Sequence, residues 1–127
     1  MSFAYHTALD LTRMIASKEI SPVELIEDVL ARQEALEPVL NCFVTRTPEV
    51  AQLAAKEAER AVLAGEDLGL LHGLPISVKD LISMADVPWT FGSKPFANNI
   101  GAHDAPAVER VRAAGACIIG KTTTSEF

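Results

Sequence analysis

The chain has 127 residues, a length that suits one small domain or part of a larger one and allows roughly two-thirds of the unfolded surface to be buried. Hydrophobic residues make up 49% and charged residues 22%, which is a globular composition rather than a disordered one. Seventeen acidic against eleven basic residues leave a net charge of −6, which argues against a broad phosphate-binding face and so against direct nucleic-acid binding.

The opening stretch, MSFAYHTALD, has neither the basic start nor the apolar core of a signal peptide. No apolar run reaches the ~18 residues of a membrane span. The expectation is a cytoplasmic protein without membrane attachment. Residues 7–16 read as a short helix with Ala8, Leu11 and Ile15 on one stripe. Ser21-Pro22-Val23-Glu24 then offers a capping serine, a proline at the first helical position and a glutamate three residues after the cap. The stripe of this second helix runs through Ile26, Val29, Leu30 and Leu36, and Pro38 is expected to end it. Residues 41–45 have the pattern of a strand. Thr47-Pro48 opens an alanine-rich third helix by the same cap-plus-proline logic, closing near Gly65.

A glycine-punctuated loop, GEDLGLLHG, leads into a strand at LPISVK. Residues 88–104 are rich in glycine, proline and asparagine and read mostly as loop. Asp104 can cap a fourth helix through Val108 and Val111, with Gly115 closing it. Residues 116–120, ACIIG, form a short buried strand. Helices first and strands alternating with helices afterwards predict an α/β layer with a helical N-terminal cover: residues 1–66 mostly helical, 67–127 the start of the α/β core. Polar residues usually mark a chain end, and this one stops on Phe127 just past a buried strand, which gives the expectation of a truncated fold. Cys42 and Cys117 lie far apart without a CxxC pair and are expected to be buried free thiols.

Three patterns bear on chemistry. Within LPISVKDLI (residues 74–82), strand alternation places Ile76 and Val78 on one face and Ser77 and Lys79 on the other, with Asp80 opposite Lys79. Two readings of Lys79 are open. It is an edge-strand lysine with its head in water and its stem on apolar surface, or it is a general base, which requires a lysine environment that favours the neutral amine. Ser77 shares its face, but no glycine-rich turn beside it offers the backbone donors that an oxyanion needs, so it is a neighbour rather than a nucleophile. Residues 115–122, GACIIGKT, match the spacing of a nucleotide-binding P-loop, yet a helix precedes the first glycine and the spacer is apolar and β-branched, so a strand is expected there. No GxSxG elbow and no HExxH or other metal spacing occurs, and His6, His72 and His103 are scattered.

The blocks LHGLPISVKDLI (71–82), TFGSKPF (90–96) and DAPAVERVRAAGACIIGKTTTSEF (104–127), and more weakly EISPVELIEDVLARQEALEPVLNCFV (19–44), resemble the amidase signature family across essentially the whole chain and in the right order. The resemblance implies the N-terminal portion of the amidase signature fold, with helices covering a mixed β-sheet, and amide hydrolysis by a Ser–cis-Ser–Lys triad without metal or organic cofactor. Lys79 matches the family's catalytic lysine. Both serines belong to a glycine- and serine-rich signature downstream of the block ending SEF, so residues 1–127 alone are expected to be inactive. Ser93 and the run Thr122, Thr123, Thr124, Ser125 lie in matching blocks and are expected to line or support the pocket; Thr123 stands where many relatives have asparagine. The expected ligand is a small-molecule amide, and the expected partner is the remainder of an amidase chain or a second copy. Substrate-binding residues are not identified. Three other readings remain: the ammonia-supplying component of the tRNA amidotransferase, which shares fold and triad but works with a partner protein; a non-enzymatic binding module from a degenerate paralogue; and, through Lys121, a nucleotide binder.

Overall fold

The computed structural model describes residues 2–127. Four helices and three strands run in the order α1 (Ala8–Ala16), α2 (Pro22–Leu40), β1 (Phe43–Arg46), α3 (Pro48–Ala64), β2 (Pro75–Lys79), α4 (Pro106–Ala113) and β3 (Cys117–Thr122). The strands form one mixed sheet in the order β1-β3-β2. β3 is central, antiparallel to β1 and parallel to β2. The architecture is α/β, as the patterning predicts.

Both N-terminal helices start where local chemistry says they should. Thr7 and Asp10 form a reciprocal capping box on α1, and Ser21 and Glu24 form one on α2, each satisfying backbone N–H groups that the first turn leaves open. Leu11 and Ile15 of α1 are buried with Ile20, Leu25, Val62 and Leu74, whereas Ala8 is exposed. Ile26 of α2, Ala51 and Ala55 of α3, and Cys117 and Ile119 of β3 make a second cluster, so α2 and α3 cover one face of the sheet. Small side chains on α3 let that helix approach β3 closely. Val78, Ile118 and Val108 meet Met84 and Val87 on the other face, beneath α4 and the segment that follows β2.

Several expectations change. α2 does not end at Pro38 but runs two residues further: the proline removes one N–H bond, and in the last turn any distortion it brings falls at the helix end. The helix stops instead at Asn41, which takes a left-handed conformation (φ 48°) and donates its N–H to the Glu37 carbonyl at 2.8 Å. Leu36 is exposed rather than part of the apolar stripe. Thr47 occupies the cap position of α3 but makes no cap bond; its hydroxyl is buried and donates to the Ile118 carbonyl at 3.0 Å, tying α3 to β3. Asp104 does not cap α4. Its carboxylate accepts the Ala85 N–H at 2.8 Å and lies 2.8 Å from Arg112 Nε. Cys117 is buried, but Cys42 is only half-buried, donating its thiol to Glu37 at 3.3 Å.

Candidate active site

β2 and β3 run parallel and end side by side. Lys79 is the last residue of β2 and pairs with Thr122, the last of β3. In open α/β sheets, ligands bind beyond the carboxyl ends of such strands. Ser77 and Lys79 are exposed and alternate with half-buried Ile76 and buried Val78, so the two polar residues share the solvent-facing side of the strand as the alternation predicts. Among the described residues Lys79 makes no ion pair. Asp80, its neighbour in sequence, is fully buried and faces away from it.

Asp80 is engaged with Lys121. The ammonium of Lys121 is 2.9 Å from Asp80 Oδ1, and both side chains are essentially inaccessible, at 0% and 1% exposure. Lys121 also donates to the Pro88 carbonyl at 3.3 Å, and Asp80 Oδ2 accepts the backbone N–H and the hydroxyl of Thr90 at 3.1 and 2.5 Å. Asp80 N–H donates to the Thr122 carbonyl at 3.1 Å. The end of β2, the end of β3 and residues 88–90 are thereby fastened at one point. Sequence reasoning misses this pairing, because it sets Asp80 only against Lys79 and treats Lys121 only as a phosphate ligand. A signal does exist: Asp80 stands inside an apolar run and Lys121 directly follows one, and each needs a partner if buried. The P-loop reading fails outright, since residues 117–122 are β3 and the lysine is committed to Asp80.

The two blocks on either side of this point pack on one another. Ser93 is buried and donates to Glu126 at 2.7 Å; Phe127 N–H donates to the Phe91 carbonyl at 2.9 Å. Phe91 and Phe127 stack with ring centres 5.8 Å apart, with Trp89 and Phe96 also against Phe91. Gly92 (φ 66°) leaves no room for a side chain: a Cβ there would lie 2.8 Å from the Thr124 carbonyl oxygen. Ser93 therefore supports the segment 122–127. Of that run Thr122 and Thr124 are half-buried, and Thr123 and Ser125 are exposed. Ser77 and Lys79 share a face without a hydrogen bond between their side chains. His72 is buried with Nε2 2.9 Å from the Ala58 carbonyl, a packing role, and His6 and His103 are exposed.

A helix-covered mixed sheet with an exposed lysine at the carboxyl end of a parallel strand pair defines an α/β protein. The family model for Amidase matches residues 24–127. The chain belongs to the amidase family. It is 40% identical over 120 residues to an acylamidase of Rhodococcus erythropolis, covering 94% of this chain and 25% of that protein. It is 39% identical over all 127 residues to the A subunit of the glutamyl-tRNA(Gln) amidotransferase of Carboxydothermus hydrogenoformans, covering 26% of it. The solved structure of native peptide amidase from Stenotrophomonas maltophilia superposes with a TM-score of 0.90 at 32% identity, over 98% of this chain and 26% of that one. The chain thus spans about a quarter of the length of the relatives it matches.

Proposed function

We propose that the chain is the base-bearing, N-terminal part of an amide-hydrolysing enzyme, with Lys79 as general base. One observation carries the reading: Lys79 stands in the PISVKD block at the carboxyl end of parallel strand β2, its head outside any ion pair among the described residues, while the nearby carboxylate is held by another lysine. In the proposed reaction Lys79 draws a proton, through a bridging serine, from a serine that attacks the amide carbonyl; the tetrahedral adduct expels the amine or ammonia, which takes that proton back, and water then releases the acid from the acyl-enzyme and regenerates the serine. By the resemblance, both serines belong to the part of the family's domain downstream of the SEF block. Residues 1–66 then act as a mostly helical cover and 67–127 as the start of a single domain's α/β core. The setting is the cytoplasm and the ligand a small-molecule amide, with the remainder of the amidase chain or a second copy completing the assembly.

The test is ammonia release from a primary amide by the polypeptide carrying these residues together with the rest of the family's domain. Lys79→Ala is expected to lower kcat by at least about 10²-fold, the usual share of a positioned base. Unchanged turnover in that variant would overturn the assignment. Purified 1–127 is expected to release no ammonia.

The match to the tRNA amidotransferase component over the full 127 residues favours a second reading, a protein that supplies ammonia to a partner. Glutamine hydrolysis that rises only when a partner protein is added would favour it; hydrolysis of simple amides without a partner favours the stand-alone amidase.

A further inference from the structure

We infer that Asp80 and Lys121 are positioning residues for Lys79: a buried ionic clamp that fixes where β2 ends and so where the Lys79 side chain departs. This rests on the reading of Lys79 as the base. β2 is a five-residue strand that, among the described residues, is paired on one side only, and Lys79 is its last residue. Lys79 nevertheless has to present its head to within hydrogen-bond reach of a serine. The restraint comes from the next residue. The Asp80 carboxylate is held from three directions, by Lys121 on β3, by the Thr90 N–H and by the Thr90 hydroxyl, while its own N–H is anchored on Thr122. Lys121 closes the ring by donating to Pro88.

An ion pair is an expensive way to fill this volume. Two charges lose their hydration, and an apolar pair of similar size is often as stable. What the charged pair adds is direction: a carboxylate with fixed donors on both oxygens allows one placement of the backbone that carries it. Lys79 itself projects to the opposite side of the strand from the Asp80 carboxylate. Stability and positioning can therefore be separated by experiment.

Three variants are compared in the active polypeptide: Lys121→Met, Asp80→Asn/Lys121→Met, and Lys79→Ala as a control on the base itself. Lys121→Met leaves a buried carboxylate uncompensated and is expected to lower both the melting temperature and kcat. The double variant removes both charges and is expected to regain most of the melting temperature. Its kcat is expected to stay about 10²-fold below wild type with KM within about twofold, as for a reacting group misplaced by about 1 Å. If the double variant regains kcat along with stability, the pair is structural and the inference falls. If Lys79→Ala keeps full activity, the base reading fails instead. Should Lys121→Met not fold, the double variant, which leaves no buried charge, carries the test alone, and wild-type kinetics in it would overturn the clamp.

Discussion

Two buried side chains on β3, Lys121 and Cys117, meet burial in opposite ways. Lys121 brings a carboxylate in with it; Cys117 packs in an apolar cluster, and burial pushes its thiol up to about 11 from 9.0. The folded state therefore holds the Cys117 proton more tightly than the unfolded chain does. Its contribution to stability is complete below about pH 9 and is lost as the pH rises toward about 11. Chemical denaturation at a series of alkaline pH values is expected to show this loss, and in Cys117→Ala the same series is expected to fall less steeply, whatever its absolute stability. Cys42 is raised too, chiefly by its hydrogen bond to Glu37, but it is partly exposed. A thiol reagent at alkaline pH is thus expected to modify Cys42 in the native protein and Cys117 only on unfolding; native modification of Cys117 would contradict the packing of α3 against β3.

At the scale of the element, β3 organises the sheet, and Gly120 is where its register changes. Residues Ile76 and Ser77 of β2 are adjacent, yet their partners are Ile118 and Gly120, so β3 carries one extra residue at this point. Gly120 has φ 153°, and a Cβ there would lie 2.6 Å from the Thr45 carbonyl oxygen and 2.8 Å from the Phe43 ring. Gly120→Ala is expected to cost about 1–3 kcal/mol, the range for overpacking a close-packed site, read as a lower midpoint in urea; an unchanged midpoint would show that β1 yields freely. The register change is not legible in the sequence, where Gly120 counts as a P-loop glycine or as the end of a short strand. What is legible is local. Ser21, Pro22 and Glu24 lie within one turn and specify the start of α2 by themselves, and the alternation around Lys79 places it on the correct face. Asp80 and Lys121 are 41 residues apart, so their pairing depends on the register of β2 against β3, which one sequence does not display. Thr47 and Asp104 mislead for the same reason. Each has the chemistry of a cap, and a distant partner, Ile118 or Ala85, takes the side chain instead.

For the molecule as a whole, surface area sets the question of what else the fold requires. The accessible surface is 7501 Å² for a mass of 13.6 kDa. A compact monomer of that mass exposes about 6,600 Å² by the usual scaling, so roughly 900 Å² is in excess. That is about what one partner loses in an interface of standard size. The excess is partly apolar: Val39, Leu40, Val44, Leu53, Leu63, Leu70 and Phe127 are all exposed. Among the described residues β1 and β2 each have an unpaired edge, since only β3 is flanked on both sides. Unpaired edges recruit other strands, and apolar surface recruits other chains. The isolated 127-residue chain is therefore expected to self-associate at micromolar concentration and to bind a hydrophobic dye, by light scattering and fluorescence. Adding the remaining three-quarters of the family's domain, in the same polypeptide or in trans, is expected to suppress both signals, because the same edges and apolar residues would then be covered. A monomer that melts sharply and binds no dye would show instead that these 127 residues close their own surface, and the base proposed at Lys79 would then need a serine from a separate folded partner.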